Sequence, residues 1–108
     1  MVAPTRRAVT RIALDRATDG DVAALVAGLD EVDLVVMIAP AGLESSVAAS
    51  IGNACSRARV MTMAIVVRDE ARGDTALSHT LAHVRPWALN VVVASDAAYV
   101  DDILGCLR

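Results

Sequence analysis

No phenylalanine and no lysine occur in this sequence, and Trp87 and Tyr99 are its only aromatic residues. With aromatics this scarce, a core has to be built from Ala, Val, Leu, Ile and Met, whose small and branched shapes let backbones approach closely. Material for it is plentiful: 56% of the 108 residues are hydrophobic, which suits one domain spanning 1–108 and leaves no room for two. Basic charge is short as well, since ten arginines face thirteen acidic residues and the formal net charge is -3. Nucleic acid and anionic membrane surfaces both need a basic face, so neither is an expected partner. Apolar runs reach only about eight residues against the ~20 that cross a bilayer, and no charged-then-apolar-then-small leader is seen. The cytoplasm is the expected location.

Cysteine is limited to Cys55 and Cys106, which lie far apart in neither a CxxC nor a histidine-rich setting. Zinc, a redox dithiol and any other cofactor are therefore not expected, and buried or half-buried structural thiols are. The mean hydropathy of +0.52 is high for a small domain. Such a surplus is commonly hidden in a partner, which points to a homo-oligomer or to a subunit of a larger complex.

What is present is a repeated alternation. Four apolar runs, Val9 to Leu14, Asp33 to Ala39, Val60 to Val67 and Ala88 to Ala94, are each followed by apolar residues at helical spacing. The second run, LVVMIA, and the fourth, VVVA, are continuous, as central parallel strands covered on both faces are. The first, with Thr10 and Arg11, reads as nearer an edge. Helices are expected over Asp21 to Leu29, capped by Thr18 or Asp19, over Glu44 to Arg57, over Thr75 to Val84, and over Asp96 to Leu107. The third stops before Pro86, because a residue preceding proline resists helical geometry.

Strand and helix alternating four times with short connections imply an α/β three-layer sandwich around a four-stranded parallel sheet, Rossmann-like or flavodoxin-like. Adding strands in one direction only would place every crossover helix on one face. The expectation is therefore either a reversal, as in order 2-1-3-4, or a partner covering the second face. Met1 to Arg7 alone reads as untethered.

In such sheets ligands gather beyond the carboxyl ends of the strands, where helix N-termini offer unpaired N–H groups. The candidate ligand-binding residues there are Gly42, Ser45, Ser46, Asp69, Ser95 and Asp96, for a small molecule or phosphate ester. Gly42 permits a tight turn, while Glu44 is expected in the first helical turn, competing with an anion for the same N–H groups. His79 and His83 are spaced i, i+4, as metal-binding pairs are, but against Leu77, Leu81 and Val84 they fall on the solvent side and lack a third ligand. Asp15, Asp69, Glu70 and Asp96 suggest an acidic pocket of receiver type, for which the lysine is missing. No G-x-S-x-G elbow exists, and no catalytic constellation is found. Asn90, a polar amide in a valine-rich strand, points to an edge or an interface.

Residues 32 to 96 carry VVMIAPAG, SSVAASIGNACSRA, VMTMAIVVRD and LNVVVASD in that order, and this stretch resembles the middle of the nucleotide domain of tubulin/FtsZ-type GTPases. In that family the Ala-Gly strand is followed by a long phosphate-binding loop rich in glycine and threonine, whereas here only Gly42 to Ser46 follow. The resemblance implies the fold, transfers Gly42 as a motif position and Asp96 as a looser match, and does not carry GTP hydrolysis with it. The leading expectation is a non-enzymatic oligomeric module with a regulatory or assembly role; the alternative is a small-molecule or nucleotide binder at the strand ends.

Overall fold

The computed structural model describes residues 8–107, so the reading of Met1 to Arg7 lies outside the described residues. The chain runs β1 (Val9–Ala13), α1 (Asp19–Ala27), β2 (Leu34–Pro40), α2 (Val47–Ala58), β3 (Met61–Val67), α3 (Gly73–Val84), β4 (Asn90–Ala94) and α4 (Ala98–Leu107). Short 3-10 turns at Leu29–Glu31 and Arg85–Trp87 lead into β2 and β4. Local chemistry accounts for several of these boundaries. Thr18 caps α1 reciprocally, its hydroxyl accepting the Asp21 N–H at 3.1 Å while the Asp21 carboxylate accepts the Thr18 N–H at 3.0 Å. At the end of α2, Arg59 turns left-handed with φ 59°, and Val60 donates back to the Cys55 carbonyl at 2.9 Å. Pro86 sits inside the 3-10 turn that ends α3.

The four strands are parallel and lie in the order β1-β2-β3-β4. Along β2, Val35, Met37 and Ala39 face one side and Leu34, Val36 and Ile38 the other, and each set belongs to a separate core. The first core joins the sheet to α1, α2 and α3 through residues such as Ile51, Cys55, Leu77 and Val84. That all three crossover helices share one face is what right-handed connections in an unreversed order require. The second core joins Met63, Ile65 and Ala94 to Val100 and Leu104 of α4. The reversed strand order is not found, and α4, which follows the last strand, folds back over this face. Met37, Ile51 and Ile65 are fully buried, each burial contributing about 1.5–3 kcal/mol.

One expectation about the strand positions is revised. β4 is an edge strand and not a central one, and Val93 stays 44% exposed there. Its continuous apolar sequence serves both cores, Val91 packing against the first and Val92 and Ala94 against the second, while Val93 stays uncovered. Asn90 is exposed at the start of this edge, as its polarity suggests. β1 is the opposite edge, where Arg11 is exposed and reaches Asp101 of α4 at 2.9 Å.

Candidate functional site

At the carboxyl ends of β2, β3 and β4 the structure gathers the β2–α2 loop, the β3–α3 loop and the start of α4. The centre of this rim is the loop from Ala41 to Ser46. Gly42 takes φ +94°, a conformation that side-chain-bearing residues rarely adopt, and the Arg72 guanidinium lies over it, 2.6 Å from where a Cβ would stand.

Three side chains of α3 hold this loop. Thr80 is completely buried; its hydroxyl oxygen accepts the Gly42 N–H at 2.7 Å, and its O–H donates to the Leu43 carbonyl at 3.2 Å. His83 presents Nε2 to Ser45, within 3.1 Å of the N–H and 2.7 Å of the carbonyl oxygen. An unprotonated Nε2 accepts from the N–H, and an Nε2–H donates to the carbonyl. His79 pairs through Nε2 with the Glu44 carboxylate. His79 is exposed, as the spacing suggests, while its ring is paired with Glu44. His83 is half-buried against the loop, and each ring binds a different loop residue.

Glu44 is corrected in the same way. α2 begins at Val47, with Ser46 at its N-cap, so Glu44 lies ahead of the helix and binds α3 instead of competing for the first-turn N–H groups. The six candidate ligand residues do share the rim, yet most of their polar groups already have partners within the chain. Gly42 and Ser45 give their N–H groups to α3, and the Ser45 hydroxyl accepts the Val47 N–H at 3.2 Å. Asp69 accepts the Ala71 N–H at 3.0 Å and stands 3.5 Å from Arg72 Nε. Asp96 accepts the Ala98 N–H at 2.8 Å. The Ser46 carbonyl accepts the Ser50 N–H at 3.2 Å, and Ser95 is exposed. Of the acids considered as a receiver-type pocket, Asp15 and Glu70 are exposed, while Asp69 and Asp96 are bound to their own loops.

The residue that sequence reasoning missed is Thr80. It lies among Leu77, Leu81 and Val84 on the buried side of α3, so its signal was a hydroxyl on an apolar stripe, and such a hydroxyl needs a partner when buried. The thiols also differ. Cys55 is fully buried and burial pushes its pKa up, whereas Cys106 is exposed, against the expectation for it.

Away from the rim, apolar surface is concentrated around β4 and the amino ends of the inner strands, where Leu89 is 68% and Met61 47% exposed. A groove of about 500 Å³ runs between them beside Trp87. No helix among the described residues is long and apolar enough to cross a membrane.

Comparison of the chain with protein-family models, curated proteins and solved structures returns no match. The resemblance of residues 32 to 96 to tubulin/FtsZ-type nucleotide domains thus gains no support, and the parallel four-stranded α/β fold stands on the structure itself.

Proposed function

We propose that this protein is a non-enzymatic assembly or regulatory module of the cytoplasm that works through protein contacts and self-associates. The observation that carries the reading is the β4 side of the molecule: an uncharged edge strand, NVVVA, with Val93 exposed on it and exposed Leu89 and Met61 beside it. Open edges are ordinarily blunted by charge, proline or bulges, and β4 has none of these. The rim at the strand ends adds support from the other direction, because a loop whose amides are bonded to Thr80 and His83 offers few donors to a ligand.

Light scattering at micromolar concentration tests this. The protein is expected to elute as an oligomer, and Leu89→Asp combined with Val93→Lys is expected to return it to a monomer without loss of fold. A wild-type monomer under these conditions overturns self-association. The alternative, binding of a small molecule or phosphate ester through Gly42, Ser45, Ser46, Asp69, Ser95 and Asp96, is checked by thermal shift. A ligand present at 100 times its dissociation constant raises stability by about 2.7 kcal/mol.

A further inference from the structure

The second edge of the sheet differs in kind from the first. Leu34 donates to the Ala8 carbonyl at 3.2 Å and Leu14 to the Ile38 carbonyl at 2.8 Å, which assigns the even-numbered residues of β1 to the pairing with β2. The N–H groups of Val9, Arg11 and Ala13 and the C=O groups of Val9 and Arg11 therefore point away from the sheet, unpaired among the described residues, whereas the Ala13 carbonyl accepts the Arg16 N–H at 3.2 Å. Beside this open edge runs a groove of about 700 Å³ along the whole of β1, with α1 as its other wall. Along this wall Ala17, Asp21, Ala24, Leu25 and Gly28 face the groove. None of the residues of α1 is fully buried, so this helix has apolar surface that the described residues leave uncovered.

We propose that the β1–α1 groove receives an extended peptide segment of a partner protein, which adds to the sheet as a fifth parallel strand. Only a strand satisfies the open N–H and C=O groups of Val9 and Arg11 and the Ala13 N–H while filling the groove. Because α1 rises beside the edge, the space suits a lone extended segment and not the helix-covered edge of another folded sheet. Four charged residues line it. Arg11 is paired with Asp101 at 2.9 Å and Asp21 accepts the Thr18 N–H at 3.0 Å, while Arg16 and Glu31 form no ion pair with another described residue. Arg16 follows β1 and Glu31 lies just ahead of β2, so they mark the carboxyl and amino ends of the groove. A segment parallel to β1 brings its carboxyl end to Arg16 and its amino end to Glu31. The fitting sequence is basic, then small or β-branched, then acidic.

The inference rests on reading the protein as an interaction module, and its test does not depend on self-association. The probe is a fluorescein-labelled peptide, Arg-Val-Thr-Val-Thr-Val-Glu, titrated by anisotropy against the full chain. Its partner measurement is hydrogen exchange at the amides of Val9, Arg11 and Ala13. Saturable binding with slowed exchange at these three amides is expected. Ala24→Trp, which fills the groove from an exposed position, and Arg11→Pro, which removes one outward N–H, are each expected to weaken binding about tenfold. Arg11→Ala keeps that N–H and is expected to weaken binding less than Arg11→Pro, and Val93→Lys, on the opposite edge, retains wild-type affinity. The reversed peptide, Glu-Val-Thr-Val-Thr-Val-Arg, binds more weakly. Absence of saturable binding, indifference to Ala24→Trp, or equal binding of the reversed peptide overturns the proposal. Loss of self-association in Ala24→Trp also overturns it, since a second copy would then occupy the groove. Light scattering of Leu89→Asp/Val93→Lys reads the oligomer separately from all of these.

Discussion

Gly52 lies in the middle of α2, where glycine costs about 1 kcal/mol relative to alanine in helix propensity. Its retention is explained by Trp87: a Cβ on Gly52 would stand 2.7 Å from Trp87 Cβ and 3.1 Å from its Cα, atoms that cannot swing aside. Gly52→Ala is accordingly expected to destabilise the protein by about 1–3 kcal/mol in urea unfolding, overlap outweighing propensity. A variant more stable than wild type would show that the turn carrying Trp87 yields. The cysteines make a second prediction. A thiol reagent is expected to label exposed Cys106 in the native protein and Cys55 only after denaturation. Burial raises the Cys55 pKa in the folded state, so its contribution to stability is complete below the ordinary thiol range near pH 8.5 and declines above it, where the unfolded chain ionises first. Chemical denaturation across that range should show the decline in wild type and not in Cys55→Ala. At this scale the sequence showed where apolar stripes run and that Gly52 permits a close approach of α2, but not that the approach is to Trp87 or that Thr80 fastens a loop. The partner of each lies in another element.

Elements start and stop where their neighbours allow. The apolar spacing suggests α2 from Glu44, yet it starts at Val47, because residues 42 to 45 are drawn onto α3 by Thr80, His83 and His79. Replacing Thr80 by the similarly shaped valine leaves the Gly42 N–H without its acceptor in a partly buried place. Thr80→Val is expected to cost about 1–3 kcal/mol and to speed hydrogen exchange at the Gly42 amide. Unchanged exchange there would mean that water replaces the hydroxyl. The same fastening explains why the six proposed ligand residues were legible as a group and not as a pocket. Their places at the strand ends follow from the alternation of elements, whereas the bonds that occupy them come from α3, 38 residues later, for Gly42 and Ser45, and from the neighbouring backbone for Asp69 and Asp96. α1 shows the reverse, since its periodic stripe of Val22 and Leu25 is real, but no residue on it is fully buried.

For the molecule as a whole, the one-directional strand order makes the second sheet face depend on a single helix. Val100 and Leu104 of α4 pack there against Leu34, Val36, Met63 and Ile65. Leu104→Ala is expected to cost about 2–5 kcal/mol, lowering the urea midpoint without changing the slope. A cost well under 1 kcal/mol would indicate that α4 rests on the sheet without sealing it. By itself the sequence determined the class of fold, because helix and strand periods are local properties that apolar spacing records directly. It also determined which strand ends would carry loops and helix starts. Only the tertiary structure decided the order of the strands, that β4 is an edge, that α4 alone closes the second core, and that the rim loop is bonded to α3. Each of these depends on which distant segments meet, and in a chain rich in Ala and Val many pairings satisfy the same local pattern. The choice among them falls to crossover handedness, to buried polar partners such as Thr80, and to the fit of Gly52 beneath Trp87.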